Sequence, residues 1–117
     1  FCFILIGDNV WVCSNCTVEK SQMDQTIIED HVKIDDLVHI GHNSIVKKHT
    51  QITAGSIISG RVKIGKSCWI APNSVIDPGC EIGDNCFVGT SSLVRSNFPK
   101  NSTIIGSPAK LLKKTKF

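Results

Sequence analysis

The sequence is short of several things that decide function. It has no tyrosine, one methionine and only 6% aromatic residues among 117. Without clustered aromatics or a recognisable binding motif, nucleic acid is not an expected partner. No apolar run approaches the roughly 20 residues that a spanning helix requires, so no membrane span is expected. The apolar opening Phe1 to Ile6 has no basic lead and is too short for a secretory signal. It also lacks an initiator Met, and the expectation is a piece of a longer protein with a domain upstream. Beyond Asp84 there is no acidic residue, while Arg95, Lys100, Lys110, Lys113, Lys114 and Lys116 follow. The net charge is only +3, so this basic end is a local feature, suited to phosphates or an acidic partner, or a plain solvated tail.

What is present is a strict period. From Ile28 an aliphatic residue recurs at every sixth position: Ile34, Ile40, Val46, Ile52, Ile58, Ile64, Ile70, Ile76, Ile82, Val88 and Val94. Four residues after each comes a small or β-branched one, from Val32 through Ser44, Thr50 and Cys68 to Ser92, with Phe98 breaking the size rule. Six is neither the 3.6 of a helix nor the 2 of a strand. It is the hexapeptide β-helix repeat, in which each hexad forms one side of a triangular coil. Three hexads close a turn, so residues 18 apart stack. An earlier set starts at Ile6, Val12 and Val18, and four extra residues loop out near Lys20 to Gln25. The period fails after Pro99.

The fold expected is therefore all-β, a left-handed parallel β-helix over residues 1–99. Residues 100–117 are expected to form a turn and a short helical tail that covers one end. Outward apolar residues Ile45, Ile57, Trp69, Val75, Phe87 and Leu93 fall at one repeat position, read as a corner. Such a run suggests packing against other subunits, and a closed homotrimer with sites at its boundaries is the expectation.

Six cysteines do not make a disulfide framework or a zinc site. Cys68, Cys80 and Cys86 hold the inward small slot, where a thiol acts as a compact hydrophobe. Cys13 and Cys16 form a lone C-x-x-C with no second pair. Reduced thiols point to the cytoplasm. His31 and His49, 18 apart, are expected to stack. They lack the histidine spacing of the β-helical carbonic anhydrases, and no metal is expected.

The chemistry concentrates in Asp35-Asp36-Leu37-Val38-His39-Ile40-Gly41-His42-Asn43. His42 is outward, follows a glycine, and can take and return a proton near neutral pH. One coil above it stands Gly60, whose bare N–H could hold a developing oxyanion. Asp35 is expected to hydrogen-bond the far nitrogen of His42 and fix its tautomer. His39 and Asn43 are expected to line the acceptor.

These residues resemble the left-handed β-helix acyltransferases. Asp24-Gln25-Thr26-Ile27-Ile28 and the stretch Leu37 to Asn43 are similar to UDP-3-O-acylglucosamine N-acyltransferases of lipid A synthesis, with similarity running on through Ser59-Gly60-Arg61. The resemblance implies a general base at His42, support from Asp35 and an oxyanion N–H at Gly60. In those enzymes a further histidine stands where this chain has Gly79, and they end in a long helix. The ending Gly106-Ser107-Pro108-Ala109-Lys110 is instead similar to the G-x-P-A-K tail of acetyl-CoA-dependent hexapeptide transferases. The expectation that follows is transfer of an acetyl or other short acyl group from CoA to an amino or hydroxyl group of a nucleotide-linked sugar, as in lipopolysaccharide assembly. Lys63, Lys66, Trp69, Pro108, Ala109 and Lys110 are expected to contact the acetyl-CoA donor. The alternatives are an acyl-carrier-protein-dependent N-acyltransferase of lipid A type and a non-catalytic β-helix scaffold.

Overall fold

The computed structural model describes residues 2–21 and 23–114; Phe1, Gln22 and 115–117 lie outside the described residues. The first coil carries β1 (Cys2–Ile6), β2 (Trp11–Val12) and β3 (Thr17–Val18). The second carries β4 (Asp24–Ile28), β5 (Lys33–Ile34) and β6 (His39–Ile40), and the third β7 (Ile45–Val46), β8 (Gln51–Ile52) and β9 (Ile57–Ile58). The fourth and fifth carry β10 (Lys63–Ile64), β11 (Trp69–Ile70), β12 (Val75–Ile76), β13 (Glu81–Ile82), β14 (Phe87–Val88) and β15 (Leu93–Val94). Each third strand lands on the same side, giving parallel sheets β1-β4-β7-β10-β13, β2-β5-β8-β11-β14 and β3-β6-β9-β12-β15. We call these sides one, two and three. The expected all-β, left-handed parallel β-helix is the observed fold.

Partners across coils are 18 residues apart from Ile27 to Val94, as in Ile27↔Ile45 and Ile45↔Lys63, and 16 apart where the sixth turn begins, as in Val88↔Ile104. Between the first two coils they are 22 apart, as in Ile6↔Ile28, because the first coil carries four extra residues before β4 without disturbing the pairing. All twelve aliphatic residues from Ile28 to Val94 are buried and form one core. The small-residue slot is buried too, and its hydroxyls are used. Ser44 Oγ donates to Ser59 O at 2.7 Å, Thr50 Oγ1 to Gly65 O at 2.6 Å and Ser74 Oγ to Gly89 O at 2.9 Å. Each ties one coil to the corner of the next, so a polar group enters the core without a desolvation debt. Among the described residues no buried side-chain polar atom lacks a partner. Cys68 and Cys86 sit in the same slot; their thiols donate to Gly83 O and Pro99 O at 3.1 and 3.2 Å.

The corners turn through left-handed backbone. Asn15, His31, Leu37, Asn43, His49, Arg61, Asn73 and Asn85 have φ between 55° and 62°. Asparagine tolerates this conformation better than most residues, which explains its recurrence there.

Two expectations are corrected. The apolar residues Ile45, Ile57, Trp69, Val75, Phe87 and Leu93 are not at corners but begin strands on the flat sides. They fall on all three: Ile45 on side one, Trp69 and Phe87 on side two, Ile57, Val75 and Leu93 in register on side three. A six-residue spacing moves round the prism, so one repeat position visits every side. The helical tail is also absent from the described residues. After Phe98, which bridges to Ile82 and begins a sixth turn, β16 (Ser102–Gly106) adds parallel to β14, and β17 (Ala109–Lys114) folds back antiparallel onto β16. The sequence Ala-Lys-Leu-Leu-Lys-Lys favours helix locally, but so short a helix is marginal alone, whereas the open edge of side two offers a full set of backbone partners.

Because each core isoleucine is enclosed by the coils above and below, Ile64→Ala is expected to lower the unfolding free energy by about 2–5 kcal/mol, read from urea denaturation.

Candidate active site

The corner between sides three and one holds three stacked columns. Gly41, Ser59, Asp77 and Arg95 form the first, His42, Gly60 and Pro78 the second, and Asn43, Arg61 and Gly79 the third. The structure brings His42 and Gly60 together, as their spacing predicts. A Cβ built on Gly60 would lie 2.6 Å from His42 Nε2 and 2.9 Å from both Cδ2 and Cε1. The imidazole therefore lies against the bare face of that glycine. Gly41 is needed for the same close approach, since a Cβ there would stand 2.6 Å from Gly60 N and from Ser59 C.

The Gly60 N–H has no acceptor among the described residues. At three equivalent corner positions the amide is satisfied by the carboxylate one coil higher: Asp8 by Asp30, Ser14 by Asp36, Lys66 by Asp84. Above Gly60 stands Pro78, which has no acceptor side chain. An unclaimed N–H beside an imidazole is what stabilisation of a transient oxyanion requires. Positive charge is close by. Arg61 follows Gly60, and Arg95 Nε pairs with Asp77 Oδ2 at 3.4 Å on the same corner. Around Gly79 nothing lies within 4 Å of a notional Cβ, so the space where the lipid A enzymes carry a histidine is open.

Of the other expected residues, Asn43 stands at this corner and the rest lie elsewhere within one chain. Asp35 lies at the preceding corner, between sides two and three. Its Oδ1 accepts from Asp36 N–H at 2.8 Å, and its carboxylate lies within 4.8 Å of Cys13 Sγ and the Asp36 carboxylate, all three exposed. The Nδ1 of His42 instead meets Asn43 Oδ1 at 3.1 Å. His39 is on side three with both ring nitrogens engaged, Nδ1 to Thr17 Oγ1 at 2.6 Å and Nε2 to Glu19 Oε1 at 3.2 Å. Asn43 is tied to β4 and to the residue before it: its N–H donates to Thr26 Oγ1 at 2.9 Å and its Nδ2 to Met23 O at 2.7 Å. Thr26 and Met23 were not picked out in the sequence. Only the interruption of the period near Lys20 to Gln25 marked their neighbourhood.

The expected donor contacts are spread out. Lys63 is on side one, its Nζ 3.6 Å from Glu81 Oε1, beside a cavity of about 500 Å³ lined also by Lys47, Gly65, Asp84 and Phe98. Lys66 is at the corner between sides one and two, and Trp69 is exposed on side two. Pro108 follows a cis peptide in the β16–β17 turn; Ala109 is buried opposite Gly106 and Lys110 is exposed. His31 and His49 stack as expected, ring centroids 4.9 Å apart and 2° from parallel.

Residues 61–96 match the family profile described as bacterial transferase hexapeptide (six repeats). The chain carries the transferase hexapeptide repeat. The UDP-3-O-acylglucosamine N-acyltransferase of Delftia acidovorans is 39% identical over 67 residues, which are 57% of this chain and 20% of that protein. The chain thus spans about a fifth of the length of that curated relative. Among solved structures, the UDP-N-acetylglucosamine O-acyltransferase of Moraxella catarrhalis superposes with a TM-score of 0.94 at 25% identity, covering 97% of this chain and 45% of that one. The perosamine N-acetyltransferase of Caulobacter crescentus, solved with CoA and GDP-perosamine, superposes at 0.72 with 20% identity, covering 95% and 51%. The hexapeptide-repeat chain is thus similar in sequence and fold to β-helix acyltransferases. Among the described residues, no helix is long and apolar enough to cross a membrane.

Gly60→Ala forces a methyl group into the imidazole. It is expected to displace the His42 ring, seen as shifted His42 Cε1–H and Cδ2–H resonances, and to cost about 1–3 kcal/mol in thermal unfolding.

Proposed function

We propose that the protein is an acyltransferase that moves an acetyl or other short acyl group from a CoA thioester to an amino or hydroxyl group of a nucleotide-linked sugar. The observation that carries this reading is the contact between His42 and the bare face of Gly60, with the Gly60 N–H unclaimed. His42 takes the proton of the acceptor amine or hydroxyl as that group attacks the thioester carbonyl. The C–O π electrons move onto oxygen, and the Gly60 N–H stabilises the resulting oxyanion. Collapse breaks the C–S bond, and the imidazolium returns the proton to the departing thiolate. Arg61 and Arg95 supply positive charge on the same corner, suited to the phosphates of donor or acceptor.

The relatives support acyl transfer to a nucleotide sugar, and the fold shared with an N-acetyltransferase solved with CoA supports CoA as donor. The sequence similarity to UDP-3-O-acylglucosamine N-acyltransferases supports the second reading, in which the donor is an acyl carrier protein. We further propose a cytoplasmic homotrimer. Cytoplasmic thiols such as Cys68, Cys80 and Cys86 stay reduced, and the apolar stripe Ile57, Val75, Leu93 on side three adjoins the catalytic corner.

His42→Ala is expected to lower turnover with acetyl-CoA by about 10²–10⁴-fold, measured as thiol release in the presence of nucleotide-sugar acceptors. Retention of most of the rate would remove the general base from the proposal. Faster turnover with acyl-carrier donors would favour the second reading. Val75→Glu is expected to reduce a trimer to monomers in sedimentation; an unchanged assembly would rule side three out as the interface.

A further inference from the structure

We infer that Asn43 is the positioning residue for the reaction proposed above, and that a main-chain carbonyl in the interrupting loop decides which nitrogen of His42 carries the lone pair. The argument runs through donors and acceptors. The Met23 carbonyl can only accept, so the group 2.7 Å from it is the NH₂ of the Asn43 amide. That orientation turns the amide oxygen towards His42 Nδ1, 3.1 Å away. An amide oxygen only accepts, so Nδ1 must be the protonated nitrogen of a neutral ring. The lone pair is then on Nε2, the atom that lies 2.6 Å from where a Gly60 Cβ would stand. The base faces the oxyanion donor because of a carbonyl two residues removed from it in the chain of contacts.

The amide is held from its own backbone as well. Asn43 N–H donates to the hydroxyl of Thr26, which is fully buried. Met23 belongs to the four-residue insertion that lengthens the first coil from 18 to 22 residues, and Ser21 Oγ closes that loop on Asp24 O. The insertion thus has a task that a strictly periodic coil could not perform. Asparagine here also differs in kind from a carboxylate. It fixes the tautomer without placing a negative charge against the ring, whereas Asp35, given this part by its spacing, has its carboxylate at another corner.

Nitrogen NMR on histidine-labelled protein at neutral pH tests the assignment without any substrate, with His42→Ala identifying the signals. The expected spectrum shows His42 Nδ1 protonated and Nε2 unprotonated. Asn43→Ala is expected to move the ring towards the Nε2–H form and to lower kcat by about 10–100-fold with little change in KM. Asn43→Asp is expected to keep the Nδ1–H form. It should also move the acid limb of the pH–kcat profile to higher pH, since a carboxylate favours the imidazolium and more alkaline solution is needed to free the base. A proton on Nε2 in the unaltered protein would overturn the inference, as would an Asn43→Ala variant with tautomer and pH profile unmoved. Should the variants fail to fold, the spectrum of the unaltered protein decides alone. An active His42→Ala variant would count against acyl transfer through His42 and leave the tautomer assignment standing.

Discussion

Everything in this molecule depends on coil-to-coil hydrogen bonding held in register by a ladder of enclosed aliphatic side chains. Strands of two residues have no stability of their own. They persist because each is paired above and below, and because Ile28, Val46, Ile64 and Ile82 stack directly beneath one another along side one, with equivalent ladders on the other two sides. A shift of one residue along any strand would turn that ladder outward. The register therefore resists slippage, and it converts sequence separation into spatial neighbourhood.

That conversion explains what could be read in advance. The period named the fold, and adding 18 to His42 reached Gly60, the pairing on which the chemistry rests. It also explains the failures. Spacing says which residues share a column, but says little about which side-chain rotamers meet across a corner. Asp35 was assigned to His42 on spacing, while the ring nitrogen meets the adjacent Asn43, whose left-handed backbone turns its amide towards both the imidazole and Met23. The tail shows the other failure. Local propensity in Ala109 to Lys114 points to helix, and only the unpaired rim of side two, a non-local feature, overrides it.

The two kinds of corner amide show how a site arises in so regular a frame. At three corners of the prism a carboxylate from the next coil accepts the amide below it. Replacing the acceptor positions by Gly60 and Pro78 removes that acceptor, and His42 then fills the gap with a titratable ring. The proposed site comes from breaking a structural repeat at one level while the sheets on either side continue undisturbed.

The reversed final strand has a consequence for the whole molecule. A parallel coil exposes at its end the same pattern it uses internally, so nothing in its backbone forbids a second molecule from docking head to tail and so on into a fibre. With β17 running opposite to β16, the rim of side two presents the wrong polarity for another incoming first coil. The β16–β17 hairpin thus closes that rim of side two to further parallel addition.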